Sequence, residues 1–322
     1  MNKLIQAIEQ ANTIAIGGHL RPDGDCVGSC MGLYGYIQNN FPEKKVTVYL
    51  EEFPSAFDYL KEEQAFQEAC SLAKGEKYDL FIALDCGDED RLGDALAIMK
   101  QATHTVCVDH HITNTSFCED NIVDADASST SQVLYTLFDY EKIAYETACA
   151  LYTGIIHDTG VFKHSNTSRT TMEIAGRLMD KGIPFGQIID GSFYMKSYKQ
   201  LQIMGRCLME SVRVMDGKCI FSVVRKSIMD FYDAKPSDLD GIIDELRTTE
   251  GVEVAILLTE REPGEFKVSM RSNQFVDVSR ICVYFGGGGH VKAAGCTIKG
   301  SAFDAINNLT LHIEKQMENY GE

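Results

Sequence analysis

Three of the first four apolar runs in this chain end on clusters of histidine and aspartate, a feature that restricts both the fold and the chemistry. Residues 13–16, 46–50, 80–84 and 105–108 are short, continuous apolar or β-branched runs, the pattern of strands covered on both faces. The first leads into Gly17-Gly18-His19-Leu20-Arg21-Pro22-Asp23-Gly24-Asp25, the third into Asp85-Cys86-Gly87-Asp88 and the fourth into Asp109-His110-His111. Ligands of open α/β sheets bind at the carboxyl ends of the strands, so three separated segments are expected to meet in one crevice. Asp158 is a fourth candidate. It follows a helical run over 148–157 and precedes Thr159-Gly160, which ends that run.

Helical patterns over 26–39 and 55–73 lie between the strands, and strand–helix alternation predicts a parallel sheet with helices on both faces. Further helices are expected over 129–138, 146–156 and 170–181, and a long one over 196–214 that could connect two domains. After Asp216-Gly217 the pattern changes: a strand at 219–224, a helix at 237–249 with an acidic start, and strands at 252–258 and 266–271 around the turn signal Glu-Pro-Gly. A helix at 276–285, a glycine run, a short strand at 294–298 and a last helix to about residue 319 complete the chain. The expected fold class is α/β. It has a parallel-sheet N-terminal domain over 1–195, a linker helix over 196–214 and a smaller α/β domain with a mixed sheet over 215–322.

Composition narrows the partners. The net charge of −17 offers no basic face for long duplex nucleic acid, although bound metal ions could still hold a short anionic substrate. No run of 18 apolar residues predicts a membrane span, and residues 1–10 read as an amphipathic helix rather than a signal peptide. Eleven cysteines, several inside apolar runs and none in a Cys-x-x-Cys pair, read as reduced, buried thiols of a cytoplasmic protein.

His19, Asp23, Asp25, Asp85, His110 and Asp158 offer four carboxylates and two imidazoles. So many acids in one pocket repel one another unless cations neutralise them. Oxygen ligands with some imidazole suit Mn2+ or Mg2+, with Fe2+ or Co2+ as alternatives. Six ligands exceed one tetrahedral site, but two metals sharing a carboxylate would use them all, a recurrent device for phosphoryl hydrolysis. Any one of these residues taken alone reads equally well as a cap or turn residue; Asp23-Gly24-Asp25 could be a tight turn. In the C-terminal half, Gly286, Gly287, Gly288 and Gly289 would let a ligand approach exposed N–H groups, with His290 adding a hydrogen bond. Arg271 at a strand end could clamp a phosphate. Arg91 and residues 163–167 read as cleft-lining or structural alike.

The order of His19-Leu-Arg-Pro-Asp23-Gly-Asp25, Asp85, Asp109-His110-His111 and Asp158 resembles the four-motif signature of the DHH phosphoesterase superfamily. Gly286-Gly-Gly-Gly289-His290-Val-Lys-Ala-Ala-Gly295 is similar to the glycine-rich motif of the DHH-associated domain. The chain most resembles the stand-alone members that act as oligoribonucleases and 3′-phosphoadenosine 5′-phosphate (PAP) phosphatases. The resemblance implies an Mn-dependent phosphodiesterase that hydrolyses short oligoribonucleotides or dinucleotides to nucleoside monophosphates by two-metal activation of water. PAP and cyclic di-AMP are alternative substrates; a manganese pyrophosphatase or a non-catalytic regulator is less favoured. It implies two Mn2+ ions, with Mg2+ or Co2+ admitted. One would be held by His19, Asp23 and Asp85, the other by Asp25, Asp85, His110 and Asp158. Asp85 and His111 would be the catalytic residues, His111 facing the substrate phosphate, and Asp109 would orient a ligand histidine. Arg271 and Ser272 would contact the ligand, as would Gly286, Gly287, Gly288, Gly289 and His290. Members are often dimers, so a homodimer is admitted. Cys26 departs from the small residue usual there and would make activity oxidation-sensitive if its thiol were accessible.

Overall fold

Six parallel strands build the first sheet: β1 (Thr13–Gly17), β2 (Lys45–Leu50), β3 (Phe66–Glu68), β4 (Leu80–Leu84), β5 (His104–Asp109) and β6 (Asp120–Val123), in the order β3-β2-β1-β4-β5-β6. The computed structural model describes residues 2–61, the backbone of 66–68, and 77–318. Strand residues alternate between two buried layers. Ile14, Ile16, Ile82 and Val106 face one core with α1 (Lys3–Gln10) and α2 (Gly24–Asn40). Ala15, Phe81, Ala83 and Cys107 face another, closed by Leu92, Ile98 of α3 (Leu96–Met99) and Met99. The continuous apolar runs are explained by this two-sided burial.

The chain order reverses at β1 and β4, because β1 pairs with β2 on one side and β4 on the other. Such a switch point opens a crevice at the carboxyl ends. Over it lie α4 (Thr130–Leu137) and α5 (Tyr145–Asp158), followed by α6 (Arg169–Met179) and α7 (Phe185–Ile189). Helices α2 and α5 run antiparallel with glycines at their crossing. A Cβ on Gly28 would sit 2.6 Å from the Ala150 carbonyl oxygen and 2.7 Å from the Gly154 nitrogen, and one on Gly32 2.8 Å from Leu151 Cδ2. Close approach of the two backbones therefore requires these glycines.

Two compact units divide the chain at Met1–Met195 and Lys196–Glu322. In the second, α8 (Tyr198–Met209) precedes β7 (Val212–Val214) and β8 (Cys219–Val224), then come α9 (Lys226–Tyr232) and α10 (Ile242–Arg247). β9 (Val254–Glu262) and β10 (Glu265–Ser272) form the expected hairpin. After α11 (Val278–Tyr284) come β11 (Gly288–His290), β12 (Ala293–Lys299) and α12 (Ala302–Glu318). The sheet order is β11-β12-β10-β9-β8-β7; only β8 and β9 pair in parallel, so the sheet is mixed.

Several expectations need correction. The helix expected over 55–73 is a 3-10 turn at Ser55–Leu60 and strand β3; residues 62–65 and 69–73 lie outside the described residues. The helix expected over 196–214 ends at Met209, because Val212–Val214 pairs with β8 as an edge strand. Its Ile203, Met204 and Cys207 pack in the second unit's own core. The helix expected over 237–249 is a 3-10 turn at Pro236–Leu239, then a break at Gly241 (φ 85°), then α10. The break precludes an acidic cap at Ser237. Strand β6 and helix α9 carried too weak a pattern to be expected. Among the described residues no helix is long and apolar enough to cross a membrane.

Candidate metal centre

Each donor residue reaches the crevice for a local reason. Asp23 caps α2: its Oδ1 accepts from the Asp25 and Cys26 backbone N–H groups, both at 3.1 Å, so the cap reading holds alongside the ligand reading. The turn after β1 carries His19 and the turn after β5 carries His110 and His111. Asp85, just past β4, adopts φ 59°, a conformation that non-glycine residues hold only under constraint from their surroundings. Asp25 lies in the first turn of α2 and Asp158 ends α5, so the glycine crossing of these two helices brings Asp25 and Asp158 together.

The six expected ligands converge. His19, Asp23 and Asp85 form one group, and Asp25, His110 and Asp158 form a second; within each group the donor atoms lie within 4.8 Å of one another. Asp85 also groups with His110 and His111. His19 Nε2 stands 3.6 Å from Asp23 Oδ1 and 3.5 Å from Asp85 Oδ2, whereas His110 Nε2 stands 3.6 Å from Asp85 Oδ1 and 3.1 Å from Asp158 Oδ2. The two oxygens of Asp85 thus face two different imidazoles. Donors at about 2.1 Å from one octahedral ion lie roughly 3 Å apart when adjacent and 4.2 Å apart when opposed. The observed spacings match that, and most exceed hydrogen-bond length. His19 Nδ1 donates to the Leu20 carbonyl at 2.9 Å, which leaves Nε2 as the ligand nitrogen. The residues therefore fit a pair of divalent cations, the borderline-hard O/N donor set of Mn2+ or Mg2+.

Electrostatics argue the same way. Burial opposes charge on His19, yet the facing carboxylates of Asp23 and Asp85 outweigh it and lift the imidazole to about 12. Burial likewise opposes charge on His110, and Asp158 and Asp25 lift it to about 10. Burial together with the charges of Asp85 and Asp158 pushes Asp25 well above the usual carboxylate range, and burial raises Asp158 too. The cluster therefore demands positive charge, which protons on the imidazoles or bound cations can supply; cation binding would release those protons.

Around the donors lies a shell that sequence reading largely missed. The Thr130 and Ser131 N–H groups at the start of α4 donate to Asp25 Oδ2 (2.6 Å) and Oδ1 (3.0 Å), and Thr130 Oγ1 donates to Asp85 Oδ1 at 3.0 Å. The run Ser128-Ser129-Thr130-Ser131 was the available signal, a helix start rich in caps. Asp109 requires a correction. It was expected to orient a ligand histidine, but its Oδ1 accepts from His111 Nδ1 at 2.7 Å and its Oδ2 from Asn114 at 2.6 Å. His111 Nδ1 also lies 3.8 Å from Asp85 Oδ1, so both histidines stand beside the donors, while Asp109 holds His111 alone. The hydrogen bond to Asp109 raises the His111 pKa and leaves Nε2 of this half-exposed ring free. Cys26 is fully buried and its thiol is pushed far up by burial, so it is shielded from oxidation. Residues 163–167 support Asp158, with Asn166 Nδ2 donating to its carbonyl at 3.2 Å.

The expected substrate residues all lie in the second unit. Arg271, Ser269 and Lys267 alternate on one face of β10 and border an open cavity of about 700 Å3. Lys267 and Arg261, which sequence reading passed over, also border the pocket beside Gly286, Gly287 and Gly288. Ser272 is buried and its hydroxyl donates to the Val276 carbonyl at 2.7 Å, so it faces the protein interior. The glycines divide in role. A Cβ at Gly287 would sit 2.2 Å from the Gly295 carbonyl oxygen and one at Gly289 2.5 Å from that of Ala293, so both are required by the close approach of β12. Gly286 and Gly288 have open space, and His290 is exposed.

Residues 13–155 match the family model described as the DHH family N-terminal domain, and residues 216–317 match the DHHA1 domain. The bifunctional oligoribonuclease and PAP phosphatase NrnA of Thermus thermophilus is 28% identical over 98% of this chain and 92% of its own. The Bacillus subtilis protein of the same description is 25% identical over 92% of each. The cyclic-di-AMP phosphodiesterase GdpP of Geobacillus thermodenitrificans is 26% identical over 92% of this chain but 46% of its own. The crystal structure of an exopolyphosphatase-related protein from Bacteroides fragilis superposes with a TM-score of 0.87 at 24% identity, over 99% of this chain and 96% of that one, a likeness of fold.

Proposed function

We propose, for a chain that carries a DHH-family N-terminal domain followed by a DHHA1 domain, that it is a metal-dependent phosphoesterase acting on short oligoribonucleotides, linear dinucleotides or PAP. The observation that carries this reading is the Asp85 carboxylate, whose two oxygens face the His19 and the His110 imidazoles at 3.5 and 3.6 Å. The descriptions of the T. thermophilus and B. subtilis relatives favour oligoribonucleotides and PAP, and that of GdpP adds cyclic di-AMP as a candidate.

His19, Asp23 and Asp85 would hold one Mn2+, and Asp25, Asp85, His110 and Asp158 the other. When bound, such a pair supplies an activated water and neutralises charge on the phosphoryl oxygens. The chain's own residues do the rest. His111, held through Nδ1 by Asp109, would offer its Nε2 to a non-bridging phosphate oxygen and stabilise the charge that develops there. Arg271, Lys267 and Arg261 would offer cationic groups to a phosphate of the substrate, with Gly286 and Gly288 lining the same pocket as Lys267 and Arg261. Ser272, turned inward, holds the 272–276 turn. The compartment we assign is the cytoplasm: the ten described cysteines are buried and free of disulfides.

A substrate panel tests this. Purified protein with Mn2+ should release AMP from a short oligoadenylate, from linear diadenylate or from PAP, and Asp85→Ala should release none. No turnover of any of these or of cyclic di-AMP refutes the reading, and activity retained in Asp85→Ala refutes the shared carboxylate.

A further inference from the structure

One residue ties the two donor groups together without being expected as a ligand of either. Thr130 is fully buried at the first position of α4, with Ser129 as the cap. Its backbone N–H donates to Asp25 Oδ2 at 2.6 Å and its hydroxyl donates to Asp85 Oδ1 at 3.0 Å. We propose that Thr130 is a positioning residue that sets the distance between Asp25 and Asp85 and so governs the cation that Asp25, Asp85, His110 and Asp158 would hold. The proposal rests on the metal-site reading above.

Asp85 is 3% exposed and its backbone is held at φ 59°, so its carboxylate orientation depends on what its oxygens meet. The imidazoles around it stand at 3.5 to 3.8 Å, the spacing of co-ligands. The Thr130 hydroxyl stands at hydrogen-bond length, on Oδ1, the oxygen that faces His110 rather than the one that faces His19. Asp25 is fixed separately: both its oxygens accept N–H groups from the first turn of α4, where the helix dipole favours an anion. Thr130 thus contributes a backbone bond to one carboxylate and a side-chain bond to the other. Substituting its side chain frees Asp85 Oδ1 while leaving Asp25 held and Asp85 Oδ2 facing His19. The effect should therefore fall on one cation and spare the other, which a general loosening of the fold would not do.

The experiment is calorimetric titration of the full chain with Mn2+ alone, no substrate present. Wild type should bind two ions. Thr130→Val, similar in shape but without the hydroxyl, should lower the affinity of one ion by about 10–100-fold, the range for loss of a group that orients a metal ligand. The other ion should stay within about threefold. Thr130→Ser should restore both to within about threefold. Thr130→Ala, which avoids packing strain and keeps the backbone N–H, should reproduce the valine loss. The proposal is overturned if valine and alanine variants bind both ions as wild type does, if the serine variant loses as much as valine, or if every variant loses both ions equally. Wild type that binds fewer than two ions overturns the metal-site reading itself, and the proposal with it.

Discussion

Replacing Gly154 with alanine should damage the candidate metal centre from a position that coordinates nothing. An alanine Cβ there would sit 2.4 Å from Asp25 Oδ1 and 2.0 Å from Ser131 Oγ, below the 3.0 Å that real Cβ contacts respect. The serine hydroxyl can swing aside, but Ser131 Cβ, 2.7 Å from the added carbon, cannot. The Asp25 carboxylate cannot, because its oxygens are pinned by the Thr130 and Ser131 N–H groups at 2.6 and 3.0 Å. Retreat of that oxygen to an ordinary contact would forfeit a charge-assisted hydrogen bond, about 1.5–3 kcal/mol. Overpacking adds about 1–3 kcal/mol, and the better helix propensity of alanine returns about 1 kcal/mol. The net loss is about 1.5–5 kcal/mol, or a fall in Tm of about 3–20 °C for a unit of this size. Displacing Asp25 should also weaken Mn2+ binding at least tenfold. Gly176→Ala is the control: it lies within α6 with nothing within 4 Å of an added Cβ and should be neutral or stabilising. The assays are differential scanning calorimetry and Mn2+ titration. A Gly154→Ala variant that melts within about 2 °C of wild type with unchanged Mn2+ affinity would refute the account of the α2–α5 crossing.

Two further outcomes follow from buried groups elsewhere. Burial lowers the pKa of His157 to about 4, while the unfolded chain titrates near 6.5, so the unfolded state binds the proton first. Stability is then lost as pH falls from about 6.5 to 4, by at most about 3 kcal/mol; urea melts of metal-free wild type and His157→Gln at pH 7.5 and 4.5 should show a smaller acid loss in the variant, and equal losses would count against burial as the cause. In the second unit, buried Glu253 accepts the N–H groups of Gln274 (3.0 Å), Phe275 (2.9 Å) and Val276 (2.9 Å). Glu253→Gln removes the charge and turns an amide donor toward the Gln274 N–H, while its oxygen can still accept from Phe275 and Val276, so it should cost about 1–3 kcal/mol; hydrogen exchange over residues 272–276 should accelerate while the α2 and α5 amides keep their protection, and unchanged exchange at 272–276 would contradict the role.

What could be read early followed from local pattern. Apolar runs covered on both faces mark strands whatever they pair with, so β1, β2, β4 and β5 were legible, and with them the strand ends that bear His19, Asp85 and His110. Segments decided by pairing were not. Residues 66–68 and 212–214 become strands because β2 and β8 offer an edge, not because their own sequence is apolar. The α10 region misled for a related reason: a plausible acidic start was overridden by Gly241 at φ 85°.

The amino-acid sequence alone determined the candidate donor set, since four carboxylates and two imidazoles at the ends of strands and helices are a matter of residue type and local periodicity. Tertiary structure decided how those donors are held. Which atoms Thr130 meets, that His111 rather than His110 takes the Asp109 carboxylate, that Ser272 turns inward, and that Gly28 and Gly154 let α2 and α5 close on the site all depend on contacts between segments far apart in the chain. The physical reason is range: a strand or cap is fixed by neighbours within a few residues, whereas the direction of a buried carboxylate is fixed by whatever donor the fold brings against it.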